Sequence, residues 1–189
     1  SLALARRIKA AAPETIVVLG GANCESVMGA ETARSFPFLD AVVSGEGDLA
    51  FPELVARALA GRALDGLPGV ATPGNVEALL SSGRFPNAPS VIRMDDLPVP
   101  DDSDYFEQFA RSRFAGTWTP GLFLETARGC SWGQKSHCTF CGLNGTTMAF
   151  RSKSPARVLA ELRDVTSRRP DSDLQVVDNI LDPPYFDTL

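Results

Sequence analysis

The sequence predicts an α/β protein in two halves joined by a proline-rich connector. In both halves, short apolar segments of strand type alternate with helical patterns, the order expected for parallel strands with crossover helices. Seven of the fourteen prolines lie between Pro68 and Pro120. We therefore expect an α/β domain over residues 1–66, a linker over 67–121 and a second α/β domain over 122–189.

The first half predicts helix, strand, helix, strand and helix in that order. Residues 2–12 have a helical pattern, which Pro13 ends. The run "TIVVLGGAN" is continuously apolar before it reaches Gly20 and Gly21, as is typical of a strand buried on both faces. "SVMGAETARSF" predicts a helix, and "DAVVSGEGD" predicts a second short strand that ends in a glycine-rich turn.

The third predicted helix has the clearest helical spacing in the first half. Its apolar residues recur at the i, i+3, i+4, i+7 and i+8 positions: Phe51, Leu54, Val55, Ala58 and Leu59. Asp48 is a candidate N-cap, and Gly61 stands where a C′ glycine belongs. Pro52 is compatible with the helix because it falls in the first turn.

The connector, residues 67–121, differs in composition from the segments on either side of it. It contains the acidic, turn-rich stretch "DDLPVPDDSDYF" in addition to its prolines. A segment of this length without regular structure is uncommon inside one compact domain. We therefore expect residues 67–121 to link two domains and to have little regular structure of their own.

The second half predicts strand, long loop, helix and strand. "GLFLET" is an apolar strand candidate, and "DLQVVDN" is a second one that ends in two polar residues. Between them, Ser154 is placed to cap a helix and Pro155 to occupy its first position. The apolar stripe of this helix comprises Val158, Leu159, Leu162 and Val165.

Composition narrows the function classes. The 189 residues are 44% hydrophobic and 22% charged, with a net charge of −5 and no basic block, so a nucleic-acid partner is not expected. The longest apolar runs are too short to span a bilayer, so no membrane partner is expected. With no signal peptide and four cysteines, the sequence favours a reducing, cytoplasmic location, where clustered thiols hold metal more often than they form disulfides.

Three of the four cysteines lie in one stretch, "ETARGCSWGQKSHCTFCGLNG". Cys130, Cys138 and Cys141 have the spacing C-x7-C-x2-C. This density of thiols is compatible with structural zinc, with an iron–sulfur cluster, or with three unligated thiols. His137 is a weak fourth zinc ligand because it adjoins Cys138, and Cys24 is over a hundred residues away. Three cysteines on a four-iron cluster would leave one iron open for chemistry.

The context of this stretch favours the iron–sulfur interpretation. The loop follows the end of an apolar strand, and chemistry in α/β proteins gathers at the carboxyl ends of parallel strands. Phe140 precedes the last cysteine and is placed to shield a cluster from water. The backbone can wrap closely around a bulky inorganic core at four glycines: Gly129, Gly133, Gly142 and Gly145.

The stretch "ETARGCSWGQKSHCTFCGLNG…MAFRSKS" resembles the cluster-binding loop of radical S-adenosylmethionine (SAM) enzymes. It departs from their commonest cysteine spacing in its first gap, and it is most similar to a cobalamin-dependent group that matures ribosomally made peptides (RiPPs). The resemblance extends to "VVLGGANCESVMG", "VVSGEGDLAFPELV", "DLPVPD…DYF" and "VVDNILD…YF". It implies the C-terminal half of a Rossmann-like cobalamin-binding domain, the linker, and the first βαβ unit of a partial TIM-type barrel.

The resemblance also implies the site residues. Cys130, Cys138 and Cys141 would hold a 4Fe–4S cluster. Asp178, Asn179 and Phe140 are assigned to SAM, and the first two have oxygens that can accept hydrogen bonds from an ammonium group. Two segments after the strands of the first half are assigned to cobalamin: Gly20 and Gly21, and Ser44, Gly45, Glu46 and Gly47. A tight strand-to-helix turn remains the alternative for the glycine pair, and a turn remains the alternative for Asp178 and Asn179.

The implied activity is reductive cleavage of SAM followed by C-methylation of a ribosomally made precursor peptide through methylcobalamin. An electron donor of flavodoxin or ferredoxin type is implied as well. Two alternatives remain open: radical oxidation or cyclisation without methyl transfer, and a non-catalytic module with structural zinc. Because the chain begins at Ser1 and predicts only two strands per half, we also expect it to be an internal piece of a longer protein that is inactive alone.

Overall fold

The computed structural model describes residues 1–142 and 148–188 and has a mixed α/β fold. The helices are α1 (Leu2–Ala11), α2 (Val27–Ser35), α3 (Gly47–Leu59), α4 (Val76–Ser82), α5 (Ser103–Ala110), α6 (Pro155–Arg168) and α7 (Tyr185–Thr188). The strands are β1 (Val18–Leu19), β2 (Ala41–Val43), β3 (Val70–Ala71), β4 (Leu122–Leu124), β5 (Ala127–Arg128), β6 (Arg151–Ser152) and β7 (Leu174–Val176). The chain divides into two compact units, Ser1–Val91 and Ile92–Leu189.

The first unit contains a three-stranded sheet in the order β1-β2-β3. The predicted parallel pair is confirmed, since β1 runs parallel to β2 with Val18 opposite Ala41. β3 was not predicted and runs antiparallel to β2, with Val70 opposite Val43. The sheet therefore gains a strand from the segment that the sequence assigned to the linker.

Apolar side chains cover both faces of this sheet, because neighbouring β2 residues point to opposite sides. Val42 faces α1, α2 and α4, whereas Ala41 and Val43 face α3. The first cluster comprises Ala5, Cys24, Ala30, Ala33, Leu39, Val42, Ala71 and Val76. The second comprises Ala41, Val43, Ala50, Leu54, Val70 and Ala88. This burial on both faces explains why the strand segments are continuously apolar.

The structure confirms α3 and corrects its predicted start. Glu46 occupies the N-cap position, so Asp48 lies inside the first turn and the prediction that it caps the helix is wrong. The C-terminal prediction is confirmed, because Gly61 follows the C-cap in the left-handed region with φ of 63°. Leu54 is the fully buried member of the apolar stripe, whereas Leu59 is 86% exposed.

The prediction of little regular structure over residues 67–121 is wrong. β3 and α4 lie in the first unit, where α4 packs against α2, and α5 lies in the second. Asn75 shapes the turn before α4: its side-chain oxygen accepts from the Thr72 N–H at 2.8 Å and its amide donates to the Val70 carbonyl at 3.0 Å. These elements are only two to eight residues long and are separated by segments that contain the prolines, so the proline-rich composition of the stretch obscured them.

In the second unit, β4 and β7 form the predicted parallel pair around α6, with Leu122 opposite Leu174. The cap of α6 is confirmed, because the Ser154 hydroxyl accepts from the Arg157 N–H at 3.2 Å. Val158 and Val165 are buried as expected. Glu161 was not expected to be buried, yet it is 1% exposed.

β5 and β6 form a second, antiparallel pair that the sequence did not predict. Ala127 lies opposite Ser152, and Arg128 lies opposite Arg151. This short ladder brings together the two ends of the segment 129–150, which we call the cysteine loop. Within the described part of the chain, no helix combines the length and the apolar character needed to cross a membrane.

Candidate functional site

The cysteine loop is closed tightly at its base. The Cys130 N–H donates to the Met148 carbonyl at 3.2 Å. Gly129 has φ of 77°, and a Cβ added there would lie 2.3 Å from the Ala149 carbonyl oxygen. Glycine is therefore required at this position for both backbone conformation and space.

The three cysteines of the loop are half-buried free thiols. The Cys130 sulfur accepts from the Gly133 N–H at 3.2 Å, and the Cys141 N–H donates to the Cys138 carbonyl at 3.1 Å. Among residues 1–142 and 148–188, no three His, Cys, Asp or Glu side chains converge as a metal-ligand set. The loop thus collects the predicted ligands in one segment, and metal binding stays a prediction.

The donor set suits a thiolate-bound metal group. All three side chains are sulfur donors, which are typical ligands of iron–sulfur clusters and of zinc. The N–H···S contact at Cys130 is of the kind that tunes cluster potentials. Gly129, Gly133 and Gly142 lie in the described part of the loop, whereas Gly145 lies outside the described residues.

The aromatic residue before the third cysteine is exposed in the described part of the loop. Phe140 is 91% exposed, and Trp132 in the same loop is 61% exposed. The role of Phe140 in shielding a cluster or contacting SAM therefore stays a prediction. His137 is also exposed.

The two polar residues after β7 lie at the base of the cysteine loop. The Asp178 carboxylate accepts from the backbone N–H of Thr126 at 2.8 Å and from the Thr126 hydroxyl. The Asn179 amide donates to the Gly129 carbonyl at 3.4 Å. A carboxylate can accept about four hydrogen bonds, so the half-buried Asp178 keeps acceptor capacity beyond Thr126. Whether these residues bind SAM stays a prediction.

Tyr185 completes the base of the loop and was missed in the sequence. Its hydroxyl donates to the Lys153 carbonyl at 2.7 Å and lies 3.2 Å from the Thr126 carbonyl. Burial raises the pKa of Tyr185, so the phenol stays protonated and keeps its donor. The sequence held no signal for Thr126 or Tyr185, because their partners are distant along the chain.

A second cluster missed in the sequence is ionic and lies at the start of α6. Glu161 is almost fully buried and receives the Lys153 ammonium at 2.7 Å and the Arg157 guanidinium at 2.6 Å. Arg157 also donates to the Leu97 carbonyl at 2.6 Å. Lys153 directly follows β6, so this cluster fixes one end of the cysteine loop to α6.

Two other charged positions near the loop are engaged within the protein. Glu125 and Arg128 form a two-point ion pair with both contacts at 2.8 Å. At the start of α6, the Asp95 carboxylate accepts from the Ser154 N–H at 2.7 Å. Hydrogen bonds from Ser154 hold the pKa of Asp95 below its usual value, so this helix terminus already has an anionic partner.

In the first unit, the candidate cobalamin segments follow β1 and β2. Gly20 and Gly21 are exposed, and Gly21 has φ of 94°, which favours glycine. Ser44 is buried and accepts from the Ser26 N–H at 2.6 Å while its hydroxyl donates to the Asn87 side chain at 2.5 Å. The end of β2 is thereby tied to the turn before α2 and to the segment after α4.

The rest of the second segment is fixed by residues that follow α4. Gly45 has φ of 86°, and an added Cβ there would lie 2.9 Å from the Asn87 Cβ. The Glu46 carboxylate accepts from the Val91 N–H at 3.0 Å. Gly47 begins α3. The Ser44–Gly47 turn is therefore held in one conformation, with Gly45, Glu46 and Gly47 half-buried.

A cavity of about 410 Å³ opens beside this turn. Its wall is mainly apolar, and the polar side chains that line it are Ser26, Ser44 and Asn75. The lining residues are Ser26, Gly29, Ala30, Val42, Ser44, Gly66, Leu67, Pro68, Gly69, Val70, Ala71, Asn75, Leu79, Phe85 and Pro86. Such a mixture of apolar lining and few polar groups is typical of small-molecule sites.

Cys24 belongs to the hydrophobic core of the first unit and not to the cysteine loop. It is 2% exposed. Burial raises the pKa of its thiol. Its carbonyl packs on Gly29, where an added Cβ would lie 2.1 Å from the Cys24 oxygen.

Comparisons with known proteins place the chain among methyltransferase relatives. It is 30% identical over 135 residues to an uncharacterized methyltransferase of Pyrococcus horikoshii, covering 69% of this chain and 26% of the relative. It is 28% identical over 182 residues to the cobalamin-dependent radical SAM methyltransferase TokK of Streptomyces tokunonensis, covering 93% and 24%. No protein-family model matches the chain.

A solved structure has a similar mixed α/β fold. The radical SAM methyltransferase TsrM from Kitasatospora setae, solved with tryptophan substrate and a SAM analogue, is similar with a TM-score of 0.61 and 20% identity. The match covers 94% of this chain and 32% of that chain. The relatives are methyltransferases, so the chain is homologous to enzymes of that class, and it spans about a quarter of the length of its curated relatives.

Proposed function

We propose that this chain contributes the cofactor-binding segments of a cobalamin-dependent radical SAM methyltransferase. The observation that carries the proposal is the placement of three half-buried thiols in one closed loop after the strand β4. The relationship to a cobalamin-dependent radical SAM methyltransferase supports the same activity. In this proposal the second unit is the beginning of a radical SAM barrel, and the first is part of a Rossmann-like cobalamin domain.

Cys130, Cys138 and Cys141 hold a 4Fe–4S cluster in this proposal. When these groups are bound, the cluster would supply an electron, SAM would be the radical source and cobalamin would be the methyl carrier. Asp178 and Asn179 accept hydrogen bonds from the SAM amino group, because both lie at the carboxyl end of β7 next to the base of the cysteine loop. Phe140, with its exposed ring, is proposed to cover the bound SAM.

Cobalamin is assigned to the first unit. Gly20 and Gly21 allow close backbone approach after β1, and the Ser44–Gly47 turn forms the neighbouring wall. Support comes from the fixed conformation of that turn and from the mainly apolar cavity of about 410 Å³ beside it. In open α/β sheets, ligands bind outside the carboxyl ends of parallel strands, which is where both segments lie.

The proposed substrate is a ribosomally made precursor peptide, methylated at carbon. Support for the peptide class comes from the several segments that resemble peptide-maturing enzymes. A flavodoxin or ferredoxin in the cytoplasm is the proposed electron donor. Radical oxidation or cyclisation without methyl transfer uses the same cluster residues and is the second candidate.

The experiment is anaerobic reconstitution of the full-length protein, followed by iron, sulfide and zinc analysis. We expect about four irons with labile sulfide, and loss of the cluster in each of Cys130→Ala, Cys138→Ala and Cys141→Ala. Cys24→Ala is the matched control and should keep its iron, since Cys24 is buried in the first unit. Colourless protein with stoichiometric zinc, or a full cluster in Cys138→Ala, would overturn the assignment.

Methyl transfer is tested separately with SAM labelled in its methyl group. Label recovered in the precursor peptide together with 5′-deoxyadenosine supports the methyltransferase. Formation of 5′-deoxyadenosine with an unlabelled but modified peptide would select the second candidate.

A further inference from the structure

Thr126 uses every one of its polar groups at the base of the cysteine loop. Its N–H donates to Asp178 Oδ1 at 2.8 Å, and its hydroxyl donates to Asp178 Oδ2. Its carbonyl accepts from the Lys153 N–H at 2.8 Å. Thr126 is 2% exposed, so these bonds are shielded from competing water.

Thr126 lies where the two strand pairs of the second unit meet. It lies between β4 and β5, while Asp178 follows β7 and Lys153 follows β6. Tyr185, at the start of α7, donates to the Lys153 carbonyl and lies against the Thr126 carbonyl. The parallel pair and the antiparallel ladder are thus joined at one buried residue.

The two bonds from Thr126 fix both oxygens of the Asp178 carboxylate and therefore its plane. A carboxylate bound at one oxygen can still rotate about the bond to its Cβ, whereas one bound at both cannot do so freely. The remaining lone pairs of a half-buried Asp178 then point in defined directions.

We propose that Thr126 is a positioning residue: its hydroxyl orients the Asp178 carboxylate to receive the SAM amino group. This inference rests on the proposed function and adds a residue to it. Thr126 need not touch SAM, because it acts through Asp178. The proposal separates the hydroxyl, which orients Asp178, from the backbone groups of Thr126, which hold the loop and survive substitution.

The test compares Thr126→Val with Thr126→Ser in the full-length, reconstituted protein. Valine removes the hydroxyl and keeps the shape, whereas serine keeps the hydroxyl. SAM affinity is measured by calorimetry, and the change that SAM causes in the electron paramagnetic resonance spectrum of the reduced cluster is recorded. We expect Thr126→Val to weaken SAM binding roughly tenfold at unchanged iron content, because Asp178 would no longer be held in the orientation that receives the SAM amino group. Thr126→Ser should stay within about threefold of the parent.

Two further variants distinguish a specific effect on SAM binding from a general folding defect. Thr126→Ala deletes the same hydroxyl and should weaken SAM binding like Thr126→Val. Thr166→Val removes a hydroxyl that donates to the Leu162 carbonyl at 2.7 Å on the exposed side of α6, and it should leave SAM affinity unchanged. Thermal unfolding of each variant shows which proteins are folded.

Parent-like SAM affinity and spectrum in folded Thr126→Val or Thr126→Ala would overturn the inference. Equal weakening by serine and valine, or loss of iron in the valine variant, would also overturn it, since the hydroxyl would then have no separate role in SAM binding. A parent protein that holds no cluster and no SAM would instead contradict the proposed function.

Discussion

At the scale of single residues, the four cysteines differ in how deeply they are buried. Cys24 is almost fully enclosed in the core of the first unit, and burial raises the pKa of its thiol. The three loop cysteines are half-buried. Because the thiolate is the reactive form, a raised pKa lowers the reactive fraction at any pH below that pKa.

In metal-free protein we therefore expect iodoacetamide at pH 8 to modify Cys138 and Cys141 well before Cys24. The Cys24 rate should rise only as pH passes the ordinary thiol range, since its folded pKa lies above the usual value. Peptide mass spectrometry over time gives the three rates. Under denaturing conditions the difference should disappear, and an equally fast Cys24 in folded protein would contradict its burial.

Alanine substitutions at the three described glycines of the cysteine loop should differ in their cost to stability and iron uptake. Gly129→Ala forces a Cβ against the Ala149 carbonyl at positive φ, so we expect a loss of stability of about 1–3 kcal/mol and reduced iron uptake. At Gly133 the nearest atom is the flexible Met148 sulfur at 2.6 Å, so Gly133→Ala should be milder. An alanine Cβ at Gly142 meets no atom of the described residues within 4 Å, so Gly142→Ala should destabilise the protein least of the three. Thermal unfolding and iron analysis rank the variants; the opposite order would show that the loop is held differently.

At the scale of elements, α6 has both a confirmed prediction and a missed one. Ser154, Pro155, Val158 and Val165 were predicted correctly, because caps and helical spacing are local signals. The burial of Glu161 was not predicted, since the i,i+4 spacing to Arg157 is equally typical of an exposed helix face and the contact with Lys153 depends on the fold. The β5–β6 ladder was missed for the same reason: its two strands are two residues each and gain their stability from distant partners.

The site followed the same pattern. The three cysteines and the polar end of β7 could be predicted, because motif spacing and strand ends depend on residues that are close together in the sequence. Thr126 and Tyr185 could not, since nothing near them in sequence marks a hydroxyl that will be buried against a carbonyl or a carboxylate.

The buried ion cluster of α6 should be strongly sensitive to the loss of one partner. We expect Lys153→Met to lower the free energy of unfolding by about 3 kcal/mol, because Glu161 would keep only its bond to Arg157 in a buried position. Urea denaturation measures the change. Arg34→Ala breaks an exposed ion pair with Glu31 and should cost about 0.5 kcal/mol or less. Similar costs for the two variants would mean that the buried pair is solvated.

At the scale of the whole molecule, the two compact units have separate tasks in the proposed function. Each has its own strands and helices, and the candidate cobalamin and cluster residues fall on different sides of the boundary between Val91 and Ile92. A substitution confined to one unit should therefore change one cofactor and leave the other. This expectation connects the division of the fold to the division of the chemistry.

We accordingly expect Gly45→Ala in the full-length protein to reduce cobalamin retention and leave iron content unchanged. Its Cβ would meet Asn87 at 2.9 Å in a left-handed backbone, so the Ser44–Gly47 turn must move. Gly83→Ala is the matched control, because Gly83 also has a positive φ of 62° but an added Cβ there meets no atom of the described residues within 4 Å. Cys138→Ala should show the reverse pattern, with iron lost and cobalamin kept. Cobalamin is measured by its absorbance after gel filtration and iron by colorimetric assay. Loss of both cofactors in both variants, at unchanged stability, would show that the two sites depend on each other and are not held by separate units.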